Sequence, residues 1–393
     1  MSEVSNIPQL RFSEFNGNWE EVPFYDCLND ILDFRGRTPL KIGMDWGGGN
    51  IISLSANNVK NGYIDFNAEC HLGSEELYEK WMGKVKLVKN DIVFTMEAPL
   101  GKALLVPDDE RYILSQRVVA FKTRDYIDNL YFIQLIWNNK FQNTVHRLST
   151  GSTAKGINQK SLKKVFINIP LKPEQNKIAA FLTAIDNKIE QLNKKQELLG
   201  EYKKGLMQQI FSQAIRFKAD DGSEFPDWEE KKLGEVSVRG VSNISANQLE
   251  NNEGEYKIYG ASGHLKNIDF YTENEPYIAI VKDGAGVGRT MVLEPETSVL
   301  GTLAIIKAKK GNDINFLYWL VQTINFKKYV VGSTIPHIYY RDYQAEKLII
   351  PSLKEQTKIA NFLSSIDNKI EQAGKQLGES KLFKKALLQQ MFV

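Results

Sequence analysis

The sequence predicts an α+β fold in which two α/β modules are joined by two long helices that form an antiparallel coiled coil with pseudo-two-fold symmetry. The 42-residue segment from Pro170 to Phe211 recurs without a gap from Pro351 to Phe392, at the offset 351 − 170 = 181 and with 22 identical positions. Both copies carry a heptad pattern, and the sequence before each copy mixes strand and helix patterns. A repeat of this length, with unlike sequence between its copies, indicates one scaffold that holds two different modules.

Length and composition fit a globular protein with two large domains. The chain has 393 residues, of which 42% are hydrophobic and 25% charged, whereas single cores seldom grow beyond about 250 to 300 residues. A formal charge of +2 argues against a basic coat but leaves room for a local phosphate-binding face. The N-terminus lacks a signal-peptide pattern and no run of about 18 apolar residues occurs. We therefore expect a cytoplasmic protein without a membrane partner.

The cysteines and histidines do not predict a metal site. Cys27 and Cys70 are the only cysteines, and neither belongs to a CxxC pair, which argues against a disulfide framework and against a zinc finger. His71 follows Cys70, but the other histidines supply no ligand spacing. We expect this chain to bind neither a metal nor a cofactor.

Each copy of the repeat predicts a long helix. Glu174 and Glu355 follow a proline near the two starts, where a carboxylate opposes the positive end of the helix dipole. The helices should begin near residues 173 and 354. Apolar residues at alternating spacings of four and three predict a seam that each helix buries against the other copy: Ile178, Leu182, Ile185 and Ile189 in the first, and Ile359, Leu363, Ile366 and Ile370 in the second.

Four polar residues interrupt this seam: Gln196, Lys203, Ser380 and Lys384. Two interpretations remain open. Polar seam residues can set the register of paired helices or mark the place where another subunit docks. Alternatively, the helix ends bend or fray there without a function.

The repeat also reaches upstream and sets the predicted domain limits. Gly151-Ser-Thr aligns with Gly332-Ser-Thr, and RFSEFNGNWEE from Arg11 is echoed by RFKADDGSEFPDWEE from Arg216. We predict a first module at residues 1–170, a helical spacer at 171–213, a second module at 214–350 and a second spacer at 351–393. Within the modules, strands are predicted at 86–96, 277–281 and 303–307, and buried helices at 128–137 and 315–323.

Polar loops at matched places in the two modules are the candidates for contacts with phosphates or base edges. Gly101-Lys102 and Gly288-Arg289 each place a cation after a glycine, while DGAGVGRT at 283–290 fails both the P-loop and the dinucleotide-binding spacing. Such cations, hydroxyls and backbone NH groups often contact DNA phosphates, but solvated turns and caps are the alternative. The candidate DNA-binding residues are Lys102, Thr153, Lys155, Lys282, Arg289, Thr334, His337 and Arg341.

Catalytic signatures are missing from the sequence. It contains no NPPF/Y tetrapeptide of amino-methyltransferases, no HExxH and no GxSxG. Several independent absences favour a binding subunit over an enzyme.

These motifs resemble the specificity subunits of type I restriction-modification enzymes. The resemblance is carried by the RF…WEE segments from Arg11 and Arg216, the Gly-Ser-Thr segments, and the helix starts PEQNKIAAFLTAIDNKIE and KEQTKIANFLSSIDNKIE. It covers essentially the whole chain. It implies that residues of about 11–170 and 215–350 are two target-recognition domains and that the duplicated helices are the conserved regions of the family.

The resemblance also implies a function and partners. Such a subunit of a bacterial or archaeal restriction system binds one asymmetric, bipartite double-stranded DNA site, and each recognition domain reads one half through the major groove. Its helices fix the gap between the halves and hold two methyltransferase subunits, which carry S-adenosylmethionine for adenine methylation. Endonuclease subunits that translocate DNA with ATP and magnesium then join the complex. This chain itself would catalyse nothing.

The predicted helix length suits a spacer between two half-sites. Glu174 to Phe211 comprises 211 − 174 + 1 = 38 residues, or about 57 Å at roughly 1.5 Å per residue. That length corresponds to about 17 base pairs at roughly 3.4 Å each. Two other classes stay open: a two-domain coiled-coil binding or scaffold protein that is not tied to a methyltransferase, and an enzyme of small-molecule metabolism, for which the failed glycine motifs offer no cofactor pocket.

Overall fold

The protein divides into two compact units. The computed structural model describes residues 6–393; residues 1–5, the start of the predicted first module and of the N-terminal segment, lie outside the described part. Unit 1 runs to Leu192 and includes Gln376–Val393, and unit 2 is Asn193–Lys375. Each unit therefore contains one globular part and portions of both long helices. The mixed fold with two repeated domains and long helices is confirmed, whereas the predicted limits of modules and spacers stay predictions.

The globular part of unit 1 contains nine strands and four helices in the described chain. The strands are β1 (Glu20–Pro23), β2 (Leu28–Leu32), β3 (Ile51–Leu54), β4 (Leu72–Gly73), β5 (Ile92–Thr95), β6 (Ala103–Leu105), β7 (Tyr112–Leu114), β8 (Val118–Thr123) and β9 (Phe166–Ile169). The helices are α1 (Glu75–Met82), α2 (Asn129–Trp137), α3 (Asn139–Leu148) and α4 (Gln159–Leu162). Short 3₁₀ helices lie at Phe24–Cys27 and Pro39–Ile42.

Three sheets organise these strands: a four-stranded sheet in the order β2-β8-β5-β6, a three-stranded sheet in the order β4-β3-β7, and the antiparallel pair β1-β9. The four-stranded sheet is buried on both faces because its residues alternate between two cores. Phe94 and Phe121 face a core shared with α2 and the long helices, while Val93 and Ala120 face a core shared with Trp81 of α1. This double burial explains why the two central strands, β5 and β8, contain continuous apolar runs, whereas the edge strand β2 carries exposed polar residues.

Unit 2 repeats the same plan with different sequence. Its strands are β10 (Glu229–Lys232), β11 (Ser237–Val241), β12 (Tyr256–Gly260), β13 (Gly263–Ile268), β14 (Tyr277–Val281), β15 (Thr290–Leu293), β16 (Ser298–Val299), β17 (Leu303–Ala308) and β18 (Lys347–Ile350). The orders β11-β17-β14-β15, β13-β12-β16 and β10-β18 match those of unit 1. The helices are α6 (Leu233–Val236), α7 (Ile314–Val321) and α8 (Tyr340–Tyr343), with 3₁₀ helices at Ala246–Leu249 and Phe326–Tyr329.

One predicted strand is much shorter than expected. The segment 86–96 forms a strand only at Ile92–Thr95. Asn90 has a φ of +69°, and the Asp91 carboxylate accepts a hydrogen bond from the Val88 backbone NH at 2.7 Å. The residues before β5 therefore form a tight turn, which the β-branched composition of the segment did not indicate.

The repeated segments form the long helices α5 (Lys172–Phe211) and α9 (Leu353–Gln390), of 40 and 38 residues. In unit 1, Ile178 and Leu182 of α5 share a core with Leu387 and Met391 of α9. The eight residues of the predicted seam are all buried or half-buried. In unit 2 the same arrangement joins the start of α9 to the end of α5. Within each unit the two helix segments run antiparallel, because later residues of α5 lie beside earlier residues of α9.

Residues 6–393 hold neither a membrane-spanning helix nor a cluster of metal ligands. None of the helices in this part of the chain is long and apolar enough to cross a membrane. The same residues contain no cluster of three or more His, Cys, Asp or Glu side chains that could hold a metal ion.

Candidate nucleic-acid interface

In unit 1, the two loops that the sequence singled out lie side by side. The turn at 96–102 follows β5, and the Gly-Ser-Thr loop occupies 150–156. The Ile157 NH donates to the Met96 carbonyl at 2.8 Å, and Thr150 and Gly156 exchange two backbone hydrogen bonds of 2.8 and 2.9 Å. Gly151 has a φ of +99°, and a Cβ there would lie 2.3 Å from the Ala154 carbonyl oxygen. Only glycine fits this bend, which projects residues 152–155 into solvent.

Unit 2 builds the same pair of loops. The turn at 282–289 follows β14, and the second Gly-Ser-Thr loop occupies 331–337. The Ile338 NH donates to the Lys282 carbonyl at 2.9 Å, and Val331 and His337 exchange backbone hydrogen bonds of 2.9 and 2.8 Å. Gly332 has a φ of +87°, with a Cβ position 2.5 Å from the Ile335 carbonyl oxygen. The structure thus brings the predicted turn and the predicted loop together in both units.

The candidate residues of unit 1 are available to a ligand to different degrees. Thr153 and Lys155 are exposed, and neither side chain has a hydrogen-bond partner within residues 6–393. Lys102 is half-buried, and its backbone is fixed because its NH donates to Thr95 Oγ1 at 2.8 Å. Since Thr153 caps no backbone group here, its hydroxyl is free to contact a phosphate, which was one of the two open interpretations.

The candidates of unit 2 are held more firmly. His337 Nδ1 and Asp283 Oδ1 lie 2.8 Å apart, joining the loop to the turn. Arg289 Nη1 donates to the Ala261 carbonyl at 3.3 Å, and the Arg341 guanidinium stacks 4.9 Å from the Tyr339 ring centroid. The exposed Thr334 hydroxyl is unbonded within the described chain, and the Lys282 side chain is half-buried.

Sequence reasoning missed Arg35, which lines a cleft of about 270 Å³ beside the loop pair of unit 1. Its Nε and Nη2 donate to the two Asp33 carboxylate oxygens at 2.9 and 2.7 Å, and Nη1 lies 3.5 Å from Glu97 Oε1. Burial raises the pKa of Asp33, but hydrogen bonds from Arg35 and Gln159 outweigh it and the net pKa is lowered. The FRGRT run around Arg35 was the only sequence signal for this cation.

Arg117 is a second missed cation at the same place. Its φ is +64°, its Nη1 donates to the Ala98 carbonyl at 3.0 Å, and its Nη2 donates to Asn57 Oδ1 at 3.0 Å. The residue lies 19 positions from Ala98 and 60 from Asn57. No local pattern could have revealed that it borders the turn.

A separate network fastens each long helix to its globular part. The carboxylate of Glu174, at the start of α5, accepts hydrogen bonds from Arg11 at 2.7 Å and from Trp19 Nε1 at 3.3 Å. Glu355, at the start of α9, accepts from Arg216 and from Trp228 Nε1, both at 3.0 Å. The arginine and tryptophan of each RF…WEE segment therefore meet the glutamate of the following helix. Both glutamates lie in the first turn of their helices, as the sequence predicted, and both are buried, so each also fastens its helix to the globular part.

The geometry defines a two-module recognition protein, because the same pair of polar loops is built twice on one scaffold with different side chains. Comparison with known proteins identifies the class. The family model described as "Type I restriction modification DNA specificity domain" matches residues 16–199 and 226–377. These ranges hold 184 + 152 = 336 of the 393 residues.

Relatives and solved structures agree with this match. The chain is 27% identical to the putative type I restriction enzyme MjaX specificity subunit of Methanocaldococcus jannaschii, over 98% of this chain and 95% of the relative. It is 27% identical to the MjaVIII specificity subunit of the same organism, over 96% and 94%. The crystal structure of the type I S subunit from M. genitalium has a TM-score of 0.68 at 18% identity and covers 98% of this chain and 99% of that one.

A chain from a structural study of complex assembly and conformational transition of the type I restriction-modification system has a TM-score of 0.53 at 17% identity, covering 94% of this chain and 96% of that one. The chain belongs to the family of type I restriction-modification specificity subunits. Its function is DNA sequence recognition, and the specificity subunits to which it is homologous are non-catalytic.

Proposed function

We propose that this chain binds one asymmetric, bipartite double-stranded DNA site and scaffolds the methyltransferase and endonuclease subunits of a type I complex. The observation that carries the proposal is the loop pair, which has one backbone plan in both units but different side chains: Glu97 and Gly156 in unit 1 correspond to Asp283 and His337 in unit 2. Different side chains on a shared plan suit two different half-sites.

In this proposal, cations and hydroxyls of each loop pair contact DNA. Unit 1 offers Lys102, Thr153 and Lys155 to one half-site. Unit 2 offers Lys282, Arg289, Thr334, His337 and Arg341 to the other. The exposed hydroxyls and lysine suit phosphate oxygens, while Arg289 and Arg341 have the planar donor pairs that fit guanine in the major groove. Because the net charge is only +2, the chain as a whole attracts DNA weakly, and these local groups must provide the contacts.

The scaffold role is supported by apolar residues on the outer faces of the long helices. Tyr202 of α5 and Phe383 of α9 occupy the same place in the repeat, since 202 + 181 = 383, and both side chains are 55% exposed. Leu198 and Leu382 lie near them and are also exposed. Exposed aromatic side chains at the same place in both copies of the repeat, each beside an exposed leucine, suit contacts with two copies of one partner. We assign them to two copies of a methyltransferase subunit; S-adenosylmethionine, ATP and magnesium would bind to partner subunits, and the complex would work in the cytoplasm.

The proposal is tested by co-expressing the chain with its cognate methyltransferase in a host whose genome is then mapped for methylated adenine. We expect one bipartite motif with a single gap. Lys102→Ala should relax only the half of the motif read by unit 1, and Arg289→Ala only the half read by unit 2, by about 1–3 kcal/mol for a lost base contact. A complex that methylates no bipartite motif, or variants that both affect the same half, would contradict the proposal.

Co-purification from the same host distinguishes the scaffold role from DNA recognition. Tyr202→Glu combined with Phe383→Glu should abolish co-purification of the methyltransferase while leaving the chain folded, because charges replace apolar contacts at both places. Lys194→Glu, a change on the exposed face of α5, is the matched control and should leave the complex intact. Assembly that survives the double variant would assign the methyltransferase contact to another surface.

A further inference from the structure

Two lysines occupy seam positions that the coiled-coil pattern reserves for apolar residues. Lys203 of α5 and Lys384 of α9 stand at the same place in the repeat, since 203 + 181 = 384. The neighbouring seam positions differ between the copies: Gln196 corresponds to Leu377, and Leu199 to Ser380. Both lysine side chains are largely buried, at 18% and 14% exposure. A charge at a seam position costs stability unless a partner compensates for it.

In unit 1, Lys384 joins three elements at one point. Its Nζ donates to Asp186 Oδ1 of α5 and lies 4.7 Å from the centroid of the Trp137 ring, at the end of α2. The other Asp186 oxygen accepts a hydrogen bond from Gln134 of α2 at 2.9 Å. The ammonium and the carboxylate thus bridge both long helices and the main helix of the globular part.

Unit 2 repeats this contact of a lysine with an aspartate and a tryptophan, which we call the junction. Lys203 Nζ lies 2.6 Å from Asp367 Oδ1 of α9 and 4.2 Å from the centroid of the Trp319 ring of α7. Asp186 and Asp367 are also equivalent, since 186 + 181 = 367. The tryptophans come from corresponding helices, although their positions in the chain differ by 182. The same lysine, aspartate and tryptophan therefore meet in both units, in spite of the different sequences of α2 and α7.

The junction discriminates between alternative packings. If either helix segment slipped by one turn, the lysine would face apolar seam residues and the aspartate would lose its partner. If α2 or α7 tilted away, the ammonium would lose the electron-rich face of the tryptophan. A polar group at a seam position is known to fix register in this way.

We propose that Lys203 and Lys384 are positioning residues that couple the globular part of each unit to the register of the long helices. They thereby restrict the number of base pairs allowed between the two half-sites. This inference rests on the proposed bipartite recognition and adds to it the residues that make the gap unique. Neither lysine contacts DNA in this assignment.

The test uses the full chain with its methyltransferase and reads the gap lengths of all methylated sites. Lys203→Met with Lys384→Met keeps the apolar stems on the tryptophans but removes both charges. We expect methylation at sites whose gap differs by one base pair to rise about tenfold relative to the original gap, with unchanged half-site sequences. Such a ratio corresponds to about 1.4 kcal/mol.

Three further variants distinguish positioning from a loss of stability. Lys203→Arg with Lys384→Arg preserves the charge and the stacking, and should restore the single gap. Asp186→Asn with Asp367→Asn removes the counter-charges from the other side of each contact, and should relax the gap as the methionine variant does, even if the methionine variant folds poorly. Lys194→Met removes an exposed lysine of α5 that pairs with Glu197 and should change nothing. A methionine variant that loses methylation at all sites equally, or an arginine variant that also relaxes the gap, overturns the inference.

A second measurement does not depend on the DNA proposal. Hydrogen exchange of the isolated full chain should show amides of α2 and α7 exchanging about tenfold faster in the methionine variant than in the wild type, with no such change in Lys194→Met. Unchanged exchange in both helices overturns the coupling. By contrast, a wild-type complex that methylates no bipartite motif, combined with faster exchange in the variant, would refute the proposed function and leave the junction as a structural coupling.

Discussion

In both units an arginine and a tryptophan bind the glutamate at the start of a long helix, but only in unit 1 does the arginine donate to both carboxylate oxygens. Arg11 donates from Nε and Nη2 to both Glu174 oxygens, each at 2.7 Å. Arg216 reaches Glu355 through a single hydrogen bond of 3.0 Å. Arg216 Nε and Glu355 Oε1 are buried without a partner in the described chain. The repeat has thus preserved which residues meet, but not how well they pair.

This difference matters because unpaired buried polar groups are costly. An arginine that forms two hydrogen bonds with a carboxylate stabilises the folded state more than one that forms a single bond. A buried oxygen without a donor loses its hydrogen bonds to water and gains none from the protein. The pKa of Arg11 is raised, first by its hydrogen bond to Glu174, so the guanidinium stays charged. We infer that the fastening of α5 contributes more to stability than the fastening of α9.

The largest expected effect follows from removing the charge of each glutamate. Glu174→Gln should lower the free energy of unfolding by about 3 kcal/mol, because it leaves the largely buried Arg11 without its counter-charge. Glu355→Gln should cost only about 1 kcal/mol, since one weaker bond is lost and an unpaired buried oxygen no longer carries charge. Urea unfolding of the full-length variants measures both values. Equal losses would show that the incomplete pairing in unit 2 has no energetic meaning.

Cys27 offers a local probe for the same comparison. It is fully buried in unit 1, and burial raises the pKa of its thiol to about 12. At pH 8 the native thiol is therefore protonated and unreactive, and alkylation requires an opening that exposes it and returns its pKa towards about 8.5. We expect Glu174→Gln to speed alkylation of Cys27 by at least about tenfold, as an opening made easier by about 1.4 kcal/mol would.

Peptide mass spectrometry after timed exposure to iodoacetamide measures this rate, and the half-buried Cys70 is the internal reference. Glu355→Gln is the matched control and should leave Cys27 as slow as in the wild type. If both variants speed the reaction equally, the two units unfold together, and the proposed difference in stability between the two helix fastenings is refuted.

The scaffold could be predicted from the sequence because its signals are repeated at one offset. The starts of α5 and α9 lie within one residue of the predicted positions 173 and 354. The contacts of Glu174 could not be predicted, since Arg11 lies 163 residues away and pairing across that distance depends on the finished fold. For the same reason Arg35 and Arg117 were missed. The loops were found because glycine and hydroxyl residues have local backbone signatures, whereas an arginine that reaches a loop from a distant turn of the chain has no comparable signature.

The smallest expected effect compares the two helices at a position where they differ. Gly205 of α5 corresponds to Ala386 of α9, since 205 + 181 = 386. A Cβ at Gly205 would meet no atom within 4 Å, so Gly205→Ala should stabilise unit 2 by about 0.5–1 kcal/mol through lower backbone entropy in the unfolded chain.

Gly374→Ala in α9 is the matched control, because its Cβ would approach Gln196 Nε2 at 2.8 Å and the side chain must move away. We expect its gain to be smaller than that at Gly205, and urea midpoints of the two variants measure the difference. If Gly205→Ala destabilises the protein instead, the end of α5 must leave regular helix in solution. The glycine would then make the helical turn around Lys203 flexible, and the junction of unit 2 would be weaker than that of unit 1.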